Sequence, residues 1–249
     1  MFFQAQLLVL AIEPFRFALF SDLHISNDNL QATEDLQLAV KDVNTLKNID
    51  FVLVAGDVSN SGDTVSLKLA KQIFEKSKLK YFIVPGNHDI RWNEKEATNF
   101  NLVFKNDKFA FSWKGVEFIG FTTAPFTKFS NGIIRDSDIE WLKFSLKNIK
   151  SDIPTFILTH YPLLQGDVDN WKIITDLLQK YNIQAVLSGH YHRNVLLNYD
   201  GIPGIVNRST LRANEAVGGY SIYSVSDSIR VYEKKIGQPE EEWIVLPLR

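Results

Sequence analysis

Five short polar motifs, each directly behind an apolar run, place the strongest constraint on what this chain can fold into. They are Asp22-Leu23-His24, Gly56-Asp57, Gly86-Asn87-His88-Asp89, His160 and Gly189-His190-Tyr191-His192, and they hold all five histidines of the chain. A fold that serves them must bring the ends of five separate strands to one place. In open α/β sheets that place is the crevice beyond the carboxyl ends of the parallel strands.

The runs around the motifs supply such strands. Phe15–Phe20, Phe51–Ala55 and Tyr81–Val84 read as buried strands, the last stopped by Pro85-Gly86. Between them Leu30–Leu46 and Thr64–Lys78 read as helices, the first with Leu36, Ala39, Val40 and Val43 on one face. This βαβαβ order implies a parallel sheet. Phe109–Trp113 and Val116–Thr123 read as a hairpin turning at Lys114-Gly115. Helices at Ser137–Ile149 and Asn170–Tyr181, carrying Trp141 and Trp171 as core residues, alternate with strands at Thr155–Leu158 and Ala185–Leu187. After His192 the chain reads as β, at Val195–Asn198, Ile205–Asn207, Tyr220–Val225 and Ser228–Lys234. Glu240-Glu241-Glu242 reads as a solvated turn. The expected architecture is one α/β domain over residues 1–249, two stacked sheets flanked by helices, with a short N-terminal arm at 1–13.

Composition removes several classes of function. The 249 residues contain no cysteine, which excludes disulfides, thiolate metal sites and cysteine nucleophiles. A net charge of -2 offers no basic field to a nucleic-acid backbone or an anionic membrane, so no nucleic-acid partner is expected. The apolar start, Met1 to Ile12, is too short to span a bilayer and reads as an extra strand or packed arm. No other run is long enough to cross a membrane. A cytoplasmic location is favoured over export, which would require that start to be the remnant of a signal peptide.

The motif residues suit metal ligation. Asp22 and His24 stand two apart on a segment leaving a strand and face the same side, as do His190 and His192. Asp57 has no basic neighbour in sequence; at a buried strand end its charge calls for a metal, and its two oxygens can bridge two ions. Asn87 adds a neutral carbonyl oxygen, and His160 a further imidazole. Seven such N and O groups exceed the needs of one ion and suit two divalent or mixed-valence ions, of Mn, Fe or Zn, with positions left for water and substrate. His88, beside Asn87, is the candidate for protonating a leaving oxygen, and Asp89 for orienting that imidazole or tying down the loop.

The ordered series DxH, GD, GNHD, H and GHxH resembles the calcineurin-like metallophosphoesterases. That resemblance implies a four-layer α/β/β/α sandwich. It implies one metal held by Asp22, His24, Asp57 and His192, with Asp57 bridging to a second held by Asn87, His160 and His190. His88 is then the histidine that assists the leaving group. The run Gly56 to Gly62 lacks the acidic and arginine residues of the family's protein phosphatases, and Asn60 stands where purple acid phosphatases carry a ligand tyrosine. It looks more like the cyclic-nucleotide-phosphodiesterase-like branch, with His160-Tyr161-Pro162 in place of that branch's frequent His-His-Pro.

The function expected is hydrolysis of a phosphodiester or small phosphomonoester, a small-molecule substrate, by a metal-bound hydroxide. The competing expectations are a nuclease and a non-catalytic metal-binding scaffold for protein interaction. Asn60, Arg91, Arg208 and Arg212 are the candidates for contacting substrate. For the arginines the alternative is charge spent on surface ion pairs.

Overall fold

The computed structural model of the chain describes residues 12–90, 98–124 and 130–249. Residues 1–11 of the expected arm and Arg91 lie outside the described residues. In chain order the elements are β1 (Phe15–Phe20), α1 (Leu30–Val43), β2 (Phe51–Ala55), α2 (Thr64–Phe74), β3 (Lys80–Val84) and α3 (Asn99–Phe104). There follow β4 (Phe109–Trp113), β5 (Val116–Gly120), α4 (Asp136–Lys147), β6 (Thr155–Leu158), α5 (Trp171–Leu178) and β7 (Ile183–Ser188). The chain closes with β8 (Val195–Tyr199), β9 (Ile202–Val206), β10 (Gly219–Val225), β11 (Ser228–Lys235) and β12 (Glu240–Pro247).

Two six-stranded mixed sheets result, ordered β12-β11-β10-β1-β2-β3 and β4-β5-β6-β7-β9-β8. β1, β2 and β3 run parallel, as do β5, β6 and β7. Period-two alternation divides each strand between two apolar layers. In β1, Phe15, Phe17 and Leu19 face the second sheet, where they meet Phe118 and Phe156, while Ala18 and Phe20 face α1 and α2. On the second sheet, Ile119, Ile157 and Val186 pack against Leu142 and Leu146 of α4 and Ile174 and Leu178 of α5. Three apolar layers between elements make a four-layer α/β/β/α sandwich. The middle layer is strongly aromatic: Phe17 stacks on Phe51 at 5.3 Å and on Tyr223 at 4.7 Å between ring centroids. Burial of each such ring stabilises the fold by roughly 1.5–3 kcal/mol.

Local chemistry sets the element ends. Asn29 caps α1 by accepting from Ala32 N, and Asp63 caps α2 by accepting from Val65 N and Ser66 N. α2 stops at Phe74, short of the expected Lys78, because Lys76 and Ser77 bond back three residues in a tighter turn and Asn44 Oδ1 accepts from Lys78 N. The β4–β5 hairpin turns at Lys114-Gly115, both with positive φ.

Two readings need correction. The tail glutamates do not form a turn. They open β12, which pairs antiparallel with β11 and sets Glu242 beside Arg230 in an ion pair. The helix α3 was not foreseen: six residues capped by Thr98 are too few to show a helical period.

Candidate metal centre

Every motif follows a strand of the parallel part of a sheet. Asp22 and His24 follow β1, Asp57 follows β2, Asn87 and His88 follow β3, His160 follows β6, and His190 and His192 follow β7. The backbone turns sharply at these points. Asp22, His24, Asp57, His190 and His192 all have φ between 49° and 72°, half of the ten non-glycine residues in that region among the described residues. Left-handed backbone costs of order 1–3 kcal/mol per residue and gathers at functional sites. Two glycines permit the packing: a Cβ on Gly86 would lie 2.2 Å from Asp57 Oδ1, and one on Gly189 would lie 1.8 Å from Ser21 Oγ.

The structure brings all seven expected ligand groups together. His192 Nε2 lies 3.3 Å from Asp22 Oδ1 and 3.1 Å from His24 Nε2. His24 Nε2 lies 3.8 Å from Asp57 Oδ2, and His160 Nε2 lies 3.3 Å from the same oxygen and 3.1 Å from Asn87 Oδ1. The ligand atoms of Asp57, His160 and His190 fall within 4.8 Å of one another, as do those of Asp22, His24 and His192. Asp57 stands between the two groups, and Asp22, Asp57 and His160 are fully or almost fully buried.

The donor set fits a cation. His160 Nδ1 is 2.7 Å from the Ala55 carbonyl and therefore carries the proton. In the neutral ring the Nε2 lone pair then faces a carboxylate and an amide oxygen: three acceptors around one point. Only a proton or a metal ion satisfies them. The titration shifts express the same demand. Burial disfavours a charged His160, yet Asp57, Asp22 and the Ala55 carbonyl outweigh it and push the ring up to about 9. Burial likewise opposes ionisation of Asp57, but His160 and His24 hold its carboxyl below the usual range. His24 and His190 are driven down to about 4, chiefly by burial, so both rings are neutral at pH 7, the form that ligates.

Around this core the expected residues divide. His88 is half-buried; its backbone N donates to Asp57 Oδ1 at 2.9 Å, and its Nδ1 lies 2.9 Å from the Asn60 carbonyl. Its ring also comes within 4.8 Å of the ligand atoms of His24 and Asp57. Asp89 does not orient that ring. It is completely buried and accepts from Val58 N, Ser59 N, Ser59 Oγ and Gly86 N, lashing the loop after β3 to the loop after β2. Burial and the Asp57 charge push it up to about 6, against the pull of those amides, so it is ionised at neutral pH. In this arrangement the Asp89 carboxylate braces the two loops.

A cavity of about 430 Å³ opens on the centre and is lined by His24, Asn29, Asp57, Asn60, His88, His190, His192, Leu211 and Ala213. Asn60 is there as expected; Arg208 and Arg212 are not among the lining residues. Arg208 is buried and bonds Glu233 at 2.6 Å and Glu215 at 3.2 Å, and Arg212 bonds Asp35 and Glu34, each at 2.6 Å. Each guanidinium is thus engaged by carboxylates of the same chain. Residues that sequence reasoning passed over include Ser21, whose hydroxyl donates to Asp22 Oδ2 at 2.6 Å, and Asn29 and Leu211. A serine directly before the first ligand was the one legible signal among them.

Adjacent clusters of metal-ligating groups with Asp57 between them, at the converging strand ends of a four-layer sandwich, fit a metal-dependent hydrolase. The calcineurin-like phosphoesterase pattern matches residues 15–194, and the chain belongs to that family. It is a metal-dependent phosphoric ester hydrolase. A probable cyclic nucleotide phosphodiesterase of Ruthia magnifica subsp. Calyptogena magnifica is 28% identical, over 85% of this chain and 94% of its own length. A probable glycerophosphodiester phosphodiesterase of Arcobacter nitrofigilis is 26% identical, over 70% of each chain. A dimetal phosphatase from Danio rerio shares the fold with a TM-score of 0.71 at 14% identity, over 96% of this chain and all of that one.

Proposed function

We propose that the chain is a dinuclear-metal phosphodiesterase acting on small-molecule diesters, with small monoesters as poorer substrates. Asp22, His24, Asp57 and His192 would hold one ion; Asp57, Asn87, His160 and His190 would hold the other. Manganese, iron or zinc suits this all-nitrogen-and-oxygen donor set. Bound there, the pair supplies Lewis-acid charge for the phosphoryl oxygens and lowers the pKa of an attacking water.

The observation that carries the diester preference is the cavity lining, which among the described residues has no lysine or arginine. A dianionic monoester asks for cationic donors beyond two metals, whereas a diester brings one charge and an uncharged second arm. The naming of the two relatives as a probable cyclic nucleotide phosphodiesterase and a probable glycerophosphodiester phosphodiesterase supports the same reading. His88 would be the proton source: the Asn60 carbonyl accepts from its Nδ1, which leaves Nε2 as the nitrogen that would pass a proton to the departing oxygen. Asp57 positions this histidine by accepting its backbone N–H.

The test is to strip the protein with a chelator, restore Mn²⁺, Fe²⁺ or Zn²⁺ singly, and compare bis-p-nitrophenyl with p-nitrophenyl phosphate. Activity should vanish on stripping, return on loading, and favour the diester. Hydrolysis unaffected by thorough metal removal would refute the proposal, and a monoester preference would refute its diester part.

A further inference from the structure

Segment 207–213 crosses between the sheets beside the metal centre and is tied down along its length. Asn207 Nδ2 donates to Ser188 O at 2.9 Å and Asn207 Oδ1 accepts from the Tyr223 hydroxyl at 2.7 Å, joining the end of β7 to β10. Ser209 Oγ donates to Asp22 O at 2.7 Å, Thr210 N donates to Ser21 O at 2.7 Å, and Thr210 Oγ1 accepts from Ser21 N at 3.2 Å. Arg212 is gripped at its backbone N and at Nε by the buried Asp35 of α1. What this strap contributes to the cavity is apolar: Leu211, and Ala213 in left-handed backbone with φ 47°. The lower part of Leu211 packs on the apolar layer beneath α1 and α2, so it does not swing freely.

Sheet order separates this wall from the proton source. The strap hangs on β10 and the loop after β1, whereas His88 follows β3, and β2 with Asp57 lies between them. In-line displacement puts the leaving oxygen in an apical position beside its proton donor and the retained ester oxygen in an equatorial one; with the two non-bridging oxygens turned to the ligand cluster, the retained arm has the strap side of the cavity open to it.

Resting on the phosphodiesterase reading, we infer that Leu211 is a specificity-determining residue. It packs against the retained ester arm and selects a flat or apolar arm over a small or strongly hydrated one. The arm belongs to a class of diester that carries an aryl-like or nucleobase-sized substituent, for which a cavity of about 430 Å³ has room.

Two diesters with the same p-nitrophenolate leaving group isolate the retained arm: bis-p-nitrophenyl phosphate and methyl p-nitrophenyl phosphate. In Leu211→Ala, KM for the first should rise about five- to tenfold with kcat within about twofold, as expected for several lost methyl and methylene contacts on a partly exposed side chain. KM for the methyl ester should move less than about twofold, and Leu211→Met should restore the first substrate. Calorimetric binding of phenylphosphonate, but not of methylphosphonate, should weaken in parallel in the metal-loaded Ala variant. Unchanged metal content and melting temperature would show that the fold and centre survive. Equal KM shifts for the two esters, or none, would overturn the inference while leaving the phosphodiesterase reading intact. Failure of the metal-loaded native protein to hydrolyse either ester would overturn both.

Discussion

The two sheets contribute unlike chemistry to one centre. Loops after β1, β2 and β3 of the first sheet bring both carboxylates, the amide and two histidines: Asp22, Asp57, Asn87, His24 and His88. Loops after β6 and β7 of the second sheet bring imidazoles alone: His160, His190 and His192. Negative charge is thus concentrated on one side of the sandwich, and the imidazoles of the other side are set in its field. His160 registers that field directly. It is fully buried on the second sheet, yet the carboxylates of the first draw a proton onto it up to about pH 9. A cation held by these groups would take the place of that proton and would join the two halves electrostatically.

The largest effect should come from the residue that serves both sides. Asp57→Ala removes the shared carboxylate; plasma mass spectrometry should find both ions lost, and diester hydrolysis should fall to background. Retention of one ion at full occupancy would show that the two halves bind independently. His88→Ala takes away a first-sheet group that is outside the proposed ligand set. Turnover should drop about 10²–10⁴-fold with both metals retained, and equal metal loss in the two variants would contradict the division between ligands and proton donor.

Asp89→Asn tests the lashing of the first-sheet loops to each other. One oxygen that accepts from Gly86 N and Val58 N, or from Ser59, becomes an NH₂ group facing donors. Metal affinity should weaken about 10–100-fold, the usual range for a residue that orients ligands without touching the ion. A larger loss in kcat than in affinity would restore a catalytic role for it.

A smaller and graded effect is expected from pH. Because His160 binds its proton more tightly than a free imidazole, that proton competes with the metal; apparent Mn²⁺ affinity should fall about tenfold per unit as pH drops from about 9 toward 6. Titration calorimetry in buffers of different ionisation enthalpy should count about one proton released at pH 7 from His160, with a further contribution from His192, whose ring the hydrogen bond to Asp22 also holds above the usual range. His24 and His190, at about 4, should release none there. In the metal-free protein the sign for stability follows from the same raised pKa. The His160 contribution is fully present below 6.5, the free imidazole value, and is lost as pH rises through about 9. Metal-free melting temperatures that climb across that window would contradict it.

Much of this was legible in the chain. β1, β2, β6 and β11 could be placed within a residue because their apolar runs are uninterrupted or strictly alternating, and the motifs stand out because histidine is used nowhere else. Helix α3 and strand β12 were not, since one is too short for a period and the other begins with three glutamates that pair with a neighbouring strand. The arginines show the limit most clearly. Arg208 and Arg212 lie in a loop by sequence, and nothing local to it reveals that Glu233, Glu34 and Asp35, from elements far along the chain, take up their charge.

By itself the sequence determined the layered α/β architecture and which polar groups gather at the strand ends, because hydrophobic periodicity and donor chemistry are local properties of the residues. Only the tertiary structure decided which residues meet: that Asp89 braces the loops after β2 and β3, and that the strap presents Leu211 where arginines were expected. Those outcomes depend on which distant side chain wins a shared hydrogen-bonding or ionic partner, and that competition is settled only when the strand ends of both sheets have come together.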